Sequence, residues 1–128
     1  MHDAEAATIR AFVLPGLRDR VTGLTSKPDR AGRLQTLLAH QRILNERFMT
    51  QVPPGHAFAA SIADSLRAKG APATCRVMGG PLDAQELALE EALGTVVGWN
   101  DGCLVICVPG RLAYFEGEEP NDRHIHQR

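Results

Sequence analysis

The chain predicts an α+β domain, with an N-terminal helical half packed on a small, mostly antiparallel C-terminal sheet that carries one inserted helix. Three observations lead there. Apolar residues recur every three or four positions from Glu5 to about Lys69, and from Thr95 onward they recur every second position. Only one strand-helix-strand unit, about Ala73 to Trp99, is visible, so the regular alternation of a doubly wound fold is missing. The length of 128 residues suits one core, and a single domain over 1–128 is expected.

Glu5 to Val13 places Ala6, Ile9 and Val13 on one helical face, and Pro15 ends that helix by excluding the α conformation at the residue before it. Pro15 then opens a second short helix through Leu17, Val21 and Leu24. Ser26 and Asp29 form a capping-box variant for a third helix, whose stripe Leu34, Leu37, Leu38, Leu44 and Phe48 reaches about residue 48. Two prolines and a glycine make Gln51 to Gly55 a loop. The next helix, about His56 to Lys69, stacks Phe58, Ile62 and Leu66, and Gly70 with Pro72 stops it.

Ala73 to Met78 reads as a strand with Cys75 and Val77 on one face and Arg76 on the other. Asp83 and Glu86 form a capping box, with Leu82 and Leu87 as its staple, so a helix is expected from there to Gly94. Val96 to Trp99 is expected as a strand, and Asn100-Asp101-Gly102 as the turn after it. Cys103 to Val108 is apolar on both faces, as a covered central strand would be. Pro109-Gly110 returns the chain along Arg111 to Glu116, and a two-residue loop would set Tyr114 opposite Val105 and Phe115 opposite Leu104. Gly117 to Asp122 is an acidic loop. Arg123 to Gln127 is open to two readings, a last edge strand or a free tail.

Net charge is −1, but its halves differ in sign. Residues 1–70 carry ten Lys and Arg against six Asp and Glu, and residues 71–128 carry four against nine. Two layers attracting each other across their seam would account for this split. No stretch approaches the roughly 18 apolar residues of a membrane helix, so no membrane partner is expected. The opening Met1-His2-Asp3-Ala4-Glu5 is acidic with no apolar signal core after it, which predicts a cytoplasmic protein with Cys75, Cys103 and Cys107 reduced.

The familiar chemistries lack their residues. Gly79-Gly80-Pro81 lies between a strand and the expected helix, but the later Gly of a dinucleotide fingerprint and the Gly-Lys-Ser or Gly-Lys-Thr of a P-loop are missing. Gly-x-Ser-x-Gly is absent, and Ser61 and Ser65 fall inside a helix. Cys103 and Cys107 sit in the most apolar strand, with sulfurs roughly 13 Å apart, too far to share a metal. His124 and His126 fall on one strand face, as paired metal ligands require, yet a third ligand would have to come from His40, His56 or the acidic loop. No cofactor, metal or catalytic residue is assigned on these grounds.

The phrases Leu66-Arg67-Ala68-Lys69-Gly70-Ala71-Pro72 and Val108-Pro109-Gly110-Arg111-Leu112-Ala113-Tyr114-Phe115-Glu116-Gly117-Glu118 resemble small bacterial proteins of uncharacterised function and about this length. Twelve Arg against two Lys also suit a GC-rich bacterial source. The resemblance implies no activity and no functional residue.

The expectation is therefore a small binding or regulatory module whose partner is another protein. Its surface is expected at Trp99, Tyr114, Glu116, Glu118, Glu119 and Arg123, where one uncovered aromatic would meet acid and favour a basic partner. One alternative is nucleic-acid binding through the Arg-rich helices of residues 10–47, which carry +5 but no aromatic platforms off the apolar stripes. The other is an enzyme of unrecognised class, with a pocket between helices and sheet.

Overall fold

Six antiparallel strands form one sheet with helices on both faces, in a computed structural model that describes every residue except Gln41. The helices are α1 (Asp3–Phe12), α2 (Arg18–Thr25), α3 (Arg30–His40), α4 (Ala59–Ala68) and α5 (Leu89–Val96). The strands are β1 (Met49–Gln51), β2 (Thr74–Met78), β3 (Glu86–Ala88), β4 (Cys103–Val108), β5 (Leu112–Glu116) and β6 (Arg123–Gln127), in the order β1-β6-β5-β4-β2-β3. Among the described residues no helix is long and apolar enough to cross a membrane.

The period of two along β4 decides how the layers are filled. Cys103, Val105 and Cys107 point to one side, where they pack with Tyr114, Val77, Ile62, Leu66, Leu89 and Leu93 beneath α4 and α5. Leu104 and Ile106 point to the other, where they meet Ala113, Phe115, Ile9, Phe12, Leu34 and Leu38 beneath α1, α2 and α3. Each face is thus sealed by its own apolar cluster, which is why β4 and β5 are buried almost throughout.

The central hairpin has the expected register: Leu104 pairs with Phe115 and Val105 with Tyr114. The connection is wider than two residues. Arg111 N–H donates to the Val108 carbonyl at 2.9 Å, and the ladder shifts between Ile106 and Val108. One extra loop residue and one bulge residue compensate, so the pairing beyond the bulge is unchanged.

Several expected elements are corrected. The third helix stops at His40 instead of reaching Phe48. Past residue 41, Leu14 N–H donates to Ile43 O at 2.8 Å and Asn45 N–H to Phe12 O at 2.7 Å, Glu46 to Phe48 form a short 3-10 turn, and Met49 to Gln51 then adds an edge strand against β6. Arg123 to Gln127 is consequently an interior strand, paired with β5 on one side and β1 on the other. The capping box at Asp83 opens no helix. Its carboxylate is taken by the Gly79 N–H (2.8 Å) and by Arg30 (2.9 Å), residues 86–88 pair with β2, and α5 starts only at Leu89. Val96 to Trp99 is not a strand either, because α5 runs to Val96. Phe58, expected in a helical stack, stands at the N-terminal cap of α4 and is 54% exposed.

Opposite charges meet where the layers join. Glu5 of α1 is fully buried and accepts from both terminal nitrogens of Arg30 (2.9 and 3.0 Å) and from Arg76 Nε of β2 (2.8 Å). Burial pushes its carboxyl pKa up, but the two guanidinium groups outweigh that and hold it below the ordinary value. Arg30 comes from the basic half and Asp83 from the acidic half, so part of the charge split is used across the seam.

Candidate partner-binding surface

The expected surface divides into a buried support and an exposed tip. Tyr114 and Glu116 lie two residues apart on β5, face α5, and are both fully buried, so neither offers surface to a partner. Phe115, on the other face, is buried as well. The uncovered aromatic on this ribbon is absent, and with Glu116 inside, the meeting of aromatic and acid expected at β5 is not formed.

Glu116 is instead the anchor of the loop that follows α5. Its carboxylate accepts four hydrogen bonds: Gly98 N–H at 3.1 Å, Asn100 N–H at 2.8 Å, the Tyr114 hydroxyl at 2.9 Å, and Arg123 Nε at 3.3 Å from the paired position on β6. Arg123 also donates from Nη2 to Asn100 Oδ1 at 2.9 Å. Burial, with the Glu116 carboxylate beside it, pushes the Tyr114 phenol far above its ordinary range, so it stays protonated and donates. A buried carboxylate is tolerated only when so satisfied.

Trp99 stands between the two anchored amides. Gly98 and Asn100 both have positive φ, +94° and +57°, and turn the chain sharply on either side of it. The indole is 71% exposed, the most exposed large apolar side chain described. Beside it opens a mainly apolar cleft of about 310 Å³, lined by Pro81, Gly94, Thr95, Val96, Asp101 and Cys103. The period of two in the sequence puts Trp99 at a strand end, whereas it stands in the loop after α5. The signal that period misses is Gly98-Trp99-Asn100, two residue types suited to positive φ around an aromatic.

The acidic pair belongs elsewhere. Glu118 bonds His40 of α3 at 2.9 Å, and Glu119 lines a second cleft under α3, neither of them in the Trp99 cleft. The Arg-rich helices do not present their full charge: Arg30 is in the buried network, Arg33 meets Asp29, and Arg42 meets Glu46 at 3.1 Å.

The reactive-residue candidates are packed. Burial pushes the Cys75 thiol up to about 11, and burial with the Cys75 thiol nearby takes that of Cys107 to about 12, so both hold their protons at neutral pH. His126 is fully enclosed between Phe12 and Phe115, and neither of its ring nitrogens has a hydrogen-bond partner. His124 shares its face of the strand, but among the described residues no group of three His, Cys, Asp or Glu is placed to hold a metal ion. Comparison with known proteins finds no matching family model, no matching curated protein and no matching solved structure.

Proposed function

We propose that this chain is a binding module that docks another protein through Trp99 and the apolar cleft beside it. The observation that carries the reading is the use of a fully buried carboxylate, Glu116, to fix the two amides flanking a 71% exposed indole. Exposing a large aromatic forfeits apolar burial worth about 2 kcal/mol, and ordering a loop costs conformational entropy. Both costs are recovered when a partner covers an indole whose loop is already ordered, which is the property of an interface hot spot. The partner's complement is an apolar side chain seated in the cleft, with Asp101 at the rim.

The test is capture from the native host with three baits: wild type, Trp99→Ala, and a Glu118→Lys/Glu119→Lys double variant. A partner retained by wild type and by the double variant but lost with Trp99→Ala is expected. Loss with the acidic variant and retention with Trp99→Ala would move the interface to the acidic loop.

A further inference from the structure

A second cleft, of about 420 Å³, opens between the end of α3, residues 42–51 and the loop of residues 117–122. Its volume lies in the range of small-molecule sites. Leu38, Ile43 and Phe115 supply an apolar floor, and the His124 ring lies nearly parallel to Phe115, with centroids 6.3 Å apart. Three carboxylates, Glu46, Glu119 and Asp122, face it against one guanidinium, Arg42, which Glu46 already engages. The lining is therefore net negative above an aromatic base.

One of these acids, Asp122, is held in place. Gly117 N–H donates to the Asp122 carbonyl at 2.8 Å, and the Asp122 carboxylate lies where any side chain at Gly117 would collide with it. Asp122 Oδ1 is 3.4 Å from His124 Nδ1, a buried nitrogen that has no hydrogen bond. A positioned carboxylate and an unsatisfied imidazole nitrogen thus meet at one side of an apolar-floored cavity. Burial keeps His124 below its ordinary pKa, although Asp122 and Glu46 pull it back, so the ring is neutral at pH 7 and adds no positive charge.

From this geometry we infer a binding site for a small organic cation, its ammonium or guanidinium group on Asp122 and Glu119 and its apolar body on Phe115. A divalent metal is a poorer match, since no three ligating side chains converge among the described residues. An anion would face the net negative wall. This site is separate from the Trp99 surface and does not depend on it.

The experiment is an NMR titration of the full chain with tyramine and with agmatine, and in parallel with 3-(4-hydroxyphenyl)propionate, which has a similar ring and carries the opposite charge. At least one amine is expected to shift the Phe115 and His124 ring signals and the Met49 methyl saturably at millimolar concentration, and the propionate is not. Asp122→Asn should weaken that amine about tenfold, as loss of a charge-assisted hydrogen bond does. The Ala113 methyl signal reports whether the variant is folded, and Glu119→Gln provides the same comparison if it is not. Saturable binding of neither amine, equal binding of the propionate, or an affinity unchanged in the folded variants would overturn the assignment.

Discussion

Glu116 and Trp99 sit 17 positions apart in sequence and do opposite things with burial. Replacing Glu116 with Ala strands two backbone amides, a phenol and the Arg123 guanidinium around one void, and denaturant unfolding should show a loss of about 3–5 kcal/mol. Trp99→Ala removes only an exposed ring and should stay within about 0.5 kcal/mol of wild type. A large loss from Trp99→Ala would mean that the ring is structural. His126 sets the behaviour in acid. Burial, with His124 nearby, lowers its pKa from 6.5 to about 4, so the unfolded chain binds the proton more readily than the fold does. Its contribution is fully present above pH 6.5 and is lost as pH falls toward 4, by roughly 3 kcal/mol at about 1.4 kcal/mol per pH unit. The carboxyl of Glu5 is likewise depressed, but from 4.5, so its contribution is lost only at lower pH. His126→Leu removes two unsatisfied nitrogens and should reduce the slope of stability between pH 6.5 and 4.5, leaving the part due to His124, whose pKa burial also lowers from 6.5. An unchanged slope in that variant would assign the acid sensitivity to another group.

Elements marked by an unbroken period were legible in the sequence. The β4-β5 hairpin and its register follow from the apolar run Cys103 to Val108 and the Pro109-Gly110 reversal, and α4 from Ile62, Leu66 and Gly70. The misread elements have strong local signals that tertiary contacts override. Asp83 is a good helix cap until Arg30 claims its carboxylate from 53 positions away. The apolar stripe through Leu44 and Phe48 fits a helix as well as it fits a segment that pairs with the end of α1 at Leu44 and makes a short 3-10 turn at Phe48. The candidate site was legible in part: the aromatic at Trp99 stands out in the sequence, but which acids line its surface depends on which face of β5 is covered, and residue spacing does not supply that. The interior position of β4 has a direct consequence. Amides of Leu104 to Cys107 should exchange with solvent only through global unfolding, and those of Gly117 to Asp122 by local opening many times faster. Comparable rates in the two segments would contradict the central place given to β4.

The whole molecule is a sheet covered on both faces by helices drawn from both halves of the chain, with the Glu5-Arg30-Asp83-Arg76 cluster tying α1 and α3 to the far end of the sheet. A sheet sealed on both sides gives Glu116 a dry, fixed position from which to hold the loop above it. Trp99 is the only tryptophan, so its fluorescence reads the proposed surface without labelling. The indole is exposed to water, yet Glu116 holds the amides on either side of it. Time-resolved anisotropy of Trp99 in the free protein tests both parts: solvent-exposed emission is expected, with a decay dominated by whole-molecule tumbling and a large fast component appearing in Glu116→Gln. Emission typical of a buried indole, or fast local motion already dominant in the wild-type chain, would contradict it.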